Sequence, residues 1–250
     1  MTSHMRRFWD RRADENPFYF VDNRLEYRHP DLDRFWADGR RDLDTILSSL
    51  GVSIGHTDHV LEIGCGVGRL TRVLATRAAS VQALDVSERM LELAQAYNPQ
   101  LANVDWILGD GTTLGGVGAG SVDVCISHVV FQHIPDPSIT LGYVREIGRI
   151  LRLGGWAAFQ ISNDERIHRP RPVPQRARHA ALTLLGRAPR GQQDARWLGS
   201  AVALDDLRRA VLDGSMEIER LVGEGTQFCF VLTRRVERPA TPRGASPGDR

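Results

Sequence analysis

Between residues 58 and 162 the chain alternates two hydrophobic rhythms. Short, nearly continuous apolar runs at 58–63, 80–85, 105–108, 121–127 and 156–161 predict strands. The stretches between them carry apolar residues every three or four positions and predict helices at 68–77, at 87–97 and from Asp136 onward. Ser87 is placed to cap the second helix, with Glu88 in its first turn. Asp136 caps the third and Pro137 opens it. Val144, Ile147 and Leu151 form its buried stripe, and Gly154-Gly155 ends it. The 121–127 run is apolar on both faces, the mark of a strand covered from both sides. Strict alternation with short connections predicts a doubly wound, mostly parallel α/β sheet.

The flanks read differently. Residues 6–50 are rich in aromatic and charged side chains, including Phe8, Trp9, Phe18, Tyr19, Phe20, Tyr27, Phe35 and Trp36. Within them 31–50 has helical spacing, with Leu32, Phe35, Trp36, Leu43, Ile46, Leu47 and Leu50 as its apolar positions. Two readings stay open for this segment: packing that caps the sheet, or a lid over a ligand. Residues 163–200 break the alternation with Arg and Pro, then a short apolar helix around 180–185. That is long for an α/β connection, and it reads either as a solvated insertion or as a lid edged by guanidinium groups. Residues 204–212 predict a helix with Asp205 and Asp206 in its first turn. Runs at 216–222 and 227–233, joined by Gly223-Glu224-Gly225-Thr226, predict an antiparallel hairpin. The expectation is a seven-stranded, Rossmann-like sheet ending in that hairpin. Residues 1–54 form an N-terminal cap, 55–236 the main domain with its insert at 163–200, and 237–250 a disordered tail. Met1 to Met5 reads as a cloning remnant.

Composition narrows the chemistry. The 250 residues are 42% hydrophobic and 25% charged, ordinary for a globular protein. A net charge of +1 gives no reason to expect nucleic acid or an anionic membrane as partner. All 32 basic residues are Arg, so a lysine Schiff base or lysine general base is excluded. Cys65, Cys125 and Cys229 are far apart and show neither zinc-site nor disulfide spacing, so buried free thiols in a reducing cytoplasm are expected. No apolar run reaches the roughly 18 residues of a membrane span, and no secretory h-region is visible.

Four pieces fall at the carboxyl ends of successive strands, where open α/β sheets bind ligands. The first runs from Glu62 to Arg69 and carries Gly64, Gly66 and Gly68 at a strand-to-helix turn. Bare backbone there lets a ligand approach, and the helix that follows offers free N–H groups. The second is Asp85, a carboxylate able to accept both hydroxyls of a ribose. The third is Asp110-Gly111, suited to a polar edge such as an adenine amino group. The fourth is Ser127 to Asp136, holding His128 and His133.

At these positions the sequence resembles the class I S-adenosylmethionine-dependent methyltransferases. The resemblance rests on Leu61-Glu62-Ile63-Gly64-Cys65-Gly66-Val67-Gly68, on Leu84-Asp85-Val86-Ser87 with Met90 and Leu91, on Gly109-Asp110-Gly111, and on Phe131-Gln132-His133-Ile134-Pro135-Asp136. It continues through Glu146 to Leu151 and Leu153-Gly154-Gly155, covering about residues 55–162 and, loosely, the C-terminal hairpin. It implies S-adenosyl-L-methionine as cofactor and S-adenosyl-L-homocysteine as product. Glu62, Gly64, Gly66 and Gly68 would hold its amino acid part, with Cys65 and Arg69 in the same turn. Asp85 would bind the ribose, Val86 and Met90 would sandwich the adenine, and Asp110 with Gly111 would take the adenine edge. Trp9, His128 and Val129 are also expected to touch the cofactor. A dinucleotide dehydrogenase fits less well, because its third glycine belongs where Arg69 stands.

The expected reaction is methylation of a small molecule, at a hydroxyl of a sugar or secondary metabolite. A small amine, or a non-methylating enzyme on the same cofactor fold, is the alternative. A hydroxyl needs its proton removed as the bond forms, so a base is sought. His133 is the candidate, and His128 a second one with a more structural look. The insert's arginines hint at an acidic acceptor, and its His168 and His179 reach the site only if the insert folds over it. No carboxylate cluster suggests a metal. A cytoplasmic location is expected, and the oligomeric state is not legible.

Overall fold

The computed structural model describes residues 2–170 and 172–237. Met1, Arg171 and the greater part of the expected tail, 238–250, lie outside the described residues. Three helices lead, α1 (Thr2–Glu15), α2 (Pro17–Val21) and α3 (Leu32–Leu50). The alternating part follows as β1 (His59–Ile63), α4 (Thr71–Leu74), β2 (Ser80–Asp85), α5 (Glu88–Tyr97), β3 (Val104–Leu108), β4 (Val122–Ser127), α6 (Pro137–Ile150) and β5 (Leu151–Ile161). The insert holds α7 (Val173–Leu184) and α8 (Ala195–Leu198), and α9 (Leu204–Asp213), β6 (Met216–Val222) and β7 (Cys229–Arg235) close the chain.

The strands form one sheet in the order β3-β2-β1-β4-β5-β7-β6. The first five are parallel, and β7 runs antiparallel to both β5 and β6. The chain builds outward from β1 to β3, then returns to the other side of β1 with β4. That reversal leaves a crevice above the ends of β1 and β4, the place where such sheets take ligands. Alternate strand residues feed two cores. Leu61, Cys125, Ala157 and Phe159 pack with α6 and α9, whereas Val60, Val124, Ala158 and Trp156 pack toward α3 and α4. β4 is buried at all six positions, as its composition predicts.

Three elements differ from the sequence reading. The helix after the glycine turn is a single turn, because three-residue bonds such as Val73 N–H to Leu70 C=O and Thr76 N–H to Val73 C=O interrupt the α-helical ladder on both sides. The long helix ends at Ile150, before the glycines. Gly154-Gly155 instead lies inside β5, where a Cβ on Gly155 would come within 2.9 Å of the Asp123 carbonyl oxygen. The insert's helix begins earlier than its apolar spacing suggests, at Val173, and none of its residues is buried.

Candidate functional site

The turn after β1 is tied to the end of β2. Gly64 N–H and Cys65 N–H donate to Leu84 C=O at 2.7 and 3.0 Å. Gly66 N–H donates to Asp85 Oδ2 at 2.9 Å, and Ser87 N–H to Asp85 Oδ1 at 2.8 Å. One carboxylate therefore joins the ends of two neighbouring strands. A cavity of about 980 Å3, including its open mouth, lies above this junction. Glu62, Gly64, Cys65, Gly66 and Arg69 line it from the turn, and Asp85, Val86, Met90 and Gly111 from the next two strand ends. His128, Val129 and His133 line it from beyond β4, and Trp9 from α1.

Two candidate residues lie elsewhere. Gly68 faces Asn98 and Trp106, and a Cβ there would sit 2.8 Å from Asn98 Nδ2. Asp110 is exposed, and its carboxylate caps its own turn, accepting from Thr112 N–H at 2.6 Å, Thr113 N–H at 2.7 Å and Thr113 Oγ1 at 2.6 Å. Among the described residues no arginine of the insert lines the cavity, and Arg166 pairs with Asp164 and Arg196 with Asp194. His168 contacts Ser162 Oγ at 2.6 Å and the Leu198 carbonyl, while His179 contacts Pro189 C=O at 3.0 Å, both outside the lining.

Burial dominates the charges at the cavity floor. Glu62 is pushed up to about 7 by desolvation, although Thr71 Oγ1 donates to it at 2.5 Å and Arg69 lies near. Asp85 is pushed up to about 6 by the same desolvation, against three backbone N–H donors. Arg69 Nη1 reaches Asp42 Oδ2 at 2.5 Å, and Arg24 bridges Asp42 and Asp22. For both of these aspartates burial acts upward, but the arginine hydrogen bonds and charges prevail and lower them. His128 stacks on Phe230, and desolvation pushes it down to about 4. Arg69 Nε and His128 Nδ1 are buried without a hydrogen-bond partner.

His133 lies in the short 3-10 turn Phe131–His133. Its Nδ1 is 2.7 Å from the Trp197 carbonyl oxygen and its Nε2 is 3.3 Å from the Gln132 side-chain nitrogen. Trp9 and Trp197 pack around the ring at 5.5 and 5.0 Å between centroids. Loss of hydration pushes the imidazole down to about 4, opposed in part by the Trp197 carbonyl and aided by His168.

The N-terminal aromatic segment divides between a core and the cavity. Phe18 and Phe35 pack with Val67 and Met90 in a third core, whereas Met5, Trp9, Phe20 and Val21 face the cavity. Arg6 fixes α1 over the site through hydrogen bonds to the Val86 and Gly109 carbonyls, each 3.2 Å. Sequence reasoning passed over Asp42, Gln160 and Trp197, and took Gln132 only as part of the motif around His133. The insert's one tryptophan was the available signal for Trp197. Asp42 and Gln160, on a regular helix and strand, carry none.

Residues 61–159 match a family model described as a methyltransferase domain. The chain is 26% identical over 225 residues to the ubiquinone biosynthesis O-methyltransferase of Thiobacillus denitrificans, a match covering 87% of this chain and 81% of that protein. It is 39% identical over 101 residues to a biotin biosynthesis bifunctional protein of Cellvibrio japonicus, covering 39% of this chain and 18% of that one. In fold it is similar to phosphoethanolamine N-methyltransferase 1 of Haemonchus contortus, solved with phosphoethanolamine and S-adenosylhomocysteine. That likeness has a TM-score of 0.68 at 19% identity and covers 98% of this chain and 51% of that one.

Proposed function

Because the chain belongs to the class I S-adenosylmethionine-dependent methyltransferases, and is an enzyme that draws its methyl group from that cofactor, we propose that it methylates a small molecule at a hydroxyl, of a sugar or secondary metabolite. The residues around the cavity fit the cofactor. Asp85 offers a buried carboxylate beside bare backbone, suited to ribose hydroxyls. Val86 and Met90 offer apolar flanks for a base. Glu62, together with the unpartnered Arg69 Nε and His128 Nδ1, offers groups of both signs for the charged amino acid end. The fit leaves out Asp110 and Gly68, whose side-chain and Cβ positions point to other partners.

Bound there, the cofactor supplies a methyl on a sulfonium, open to in-line displacement by an acceptor lone pair. The protein's part is to align the acceptor, exclude water and receive its proton. Trp9 and Phe20 cover the cavity from the N-terminal side. His133 supplies the proton acceptor. The Trp197 carbonyl can only accept, so Nδ1 carries the hydrogen and Nε2 keeps its lone pair. This fixed neutral imidazole on the cavity wall is the observation that carries the hydroxyl reading.

The test uses methyl-labelled cofactor and a panel of hydroxylated and glycosylated metabolites. His133→Ala is expected to lower turnover by about 10²- to 10⁴-fold, the usual worth of a general base, with cofactor affinity nearly unchanged. Retained turnover would place the base elsewhere. One observation favours methylation of a small amine instead: an imidazole held at about 4 is a weak base, and a neutral amine needs none. Under that reading His133→Ala leaves turnover intact on amines while hydroxylated compounds give no labelled product.

A further inference from the structure

His133 is the end of a longer hydrogen-bonded chain. Gln160 lies on β5, 1% exposed, and its side-chain amide has one consistent orientation. Val129 N–H donates to Oε1 at 3.2 Å, which makes that atom the oxygen. The amide nitrogen then donates its two hydrogens to Gln132 Oε1 at 2.7 Å and to the Gln227 carbonyl at 2.8 Å. With its oxygen engaged, Gln132 must turn its own NH2 toward His133 Nε2, at 3.3 Å. A donor at Nε2 requires a lone pair there, and the acceptor-only Trp197 carbonyl requires a hydrogen on Nδ1. The two ends of the ring, set by unrelated elements, agree on one tautomer.

The same Gln160 oxygen holds a second wall residue. Val129 sits at φ 58°, in the left-handed region that a β-branched residue rarely enters. Such a conformation is strained and persists only where its surroundings hold it. The Val129 N–H has its partner in Gln160, so one buried amide supports both the bend after β4 and the ring of His133.

We propose that Gln160 is a positioning residue: acting through Gln132, it fixes His133 in the neutral Nδ1–H form, with the Nε2 lone pair kept for the acceptor. The inference rests on the reading of His133 as base. The Gln132–His133 contact is the longest in the chain, so an acceptor hydroxyl can replace it. The O–H bond would then break as oxygen takes the methyl, whose bond to the cofactor's sulfur would break with its electron pair left on the sulfur of S-adenosyl-L-homocysteine. The proton passes to Nε2, and the imidazolium keeps its Nδ1–H on the Trp197 carbonyl. Gln132 cannot turn its oxygen toward that imidazolium while Gln160 holds it, so the ring is not trapped in its charged form. The groups acting on the ring's charge are few. His168 opposes a positive ring, Arg196 and Asp194 beside Trp197 neutralise each other, and Glu62, Arg69, Asp85 and His128 line the same cavity.

The experiment reads the ring itself, in the full chain labelled with 15N-histidine, by long-range 1H–15N correlation across pH. The His133 signals are assigned by their loss in His133→Asn. The parent is expected to show the Nδ1–H tautomer, uncharged from about pH 5.5 to about pH 8. Gln160→Glu keeps the shape and, in its ionised form, cannot donate. Gln132 then turns its oxygen to the ring, Nε2 gains a hydrogen, and the titration midpoint rises by about one pH unit or more. Gln132→Glu, at a part-exposed position, should move the ring the same way and decides the matter if Gln160→Glu does not fold. An Nε2–H tautomer in the parent, or an unmoved ring in a folded variant, overturns the proposal. That outcome is separable from failure of the base reading, which shows as retained turnover in His133→Ala while the parent still gives the Nδ1–H tautomer.

Discussion

Four groups at the site titrate with opposing signs. Glu62 holds its proton to about pH 7 and Asp85 to about 6, against 4.5 and 3.8 for the free groups. Between those limits the folded chain binds more protons than the unfolded one, so these two lose stability as pH rises. His128 and His133 give up theirs at about 4 rather than 6.5, so over that window they gain stability as pH rises. The two pairs offset each other in the parent. Glu62→Gln removes one side, and its melting temperature is expected to climb more steeply than the parent's from about pH 4.5 to about pH 6.5. Parallel curves would mean that Glu62 is charged throughout. Asp85→Ala is expected to weaken S-adenosylmethionine binding about tenfold or more, read by calorimetry. At this scale the sequence was informative where chemistry is local. A carboxylate after an apolar run and glycines at a turn identify Glu62, Asp85 and Gly66 without coordinates. Asp110 looked the same, but the threonines that follow it offer nearer donors. Gln160 was illegible, because its importance comes from Val129, Gln132 and Gln227, which only the fold brings together.

Among the elements, α1 and the insert decide what encloses the cavity. The insert returns to the sheet flush against the His133 turn. Gly199 stands at φ 63°, and a Cβ there would lie 1.7 Å from the Gln132 carbonyl oxygen. Gly199→Ala should therefore push α8 off the turn, costing about 1–3 kcal/mol. The measurement is a fall in melting temperature together with a loss of turnover larger than the loss of cofactor affinity. Arg6 ties α1 to the ends of β2 and β3, so Arg6→Ala is expected to speed cofactor release a few-fold in stopped-flow measurements without changing the fold. Periodicity located the core helices and strands, because burial sets their pattern. It missed the onset of α7, whose residues are all outside the core and feel no such constraint. It also read Gly154-Gly155 as a helix stop, since glycine after a helix and glycine at a strand bend leave the same trace.

For the whole molecule, sheet order brings distant residues together. Glu62 on β1 pairs with Ala83 on β2 and Ile126 on β4, so Asp85 and His128 end beside it although 23 and 66 positions away. Alternation foretold the mostly parallel sheet, and turn chemistry at 223–226 foretold the terminal hairpin. The division at residue 54 stands as a proposal, and the packing bears on it: Phe18 and Phe35 share a core with Val67 and Met90. Residues 2–54 and the sheet are therefore expected to melt together, with coincident calorimetric and near-ultraviolet transitions. Two separate transitions would mark the leading helices as an independent unit. No helix among the described residues is long and apolar enough to cross a membrane, and no three His, Cys, Asp or Glu side chains among them group to hold a metal ion.

Of the chain's five tryptophans, Trp9 and Trp197 make ring contacts with His133 and lie 6.3 Å from each other between centroids. An imidazolium quenches a neighbouring indole by accepting an electron from its excited state, whereas neutral imidazole does so far less. On the proposed role of His133 as base, the protein carries an optical gauge of its own, and indole brightness is expected to dip as the ring takes a proton during turnover, without any added label.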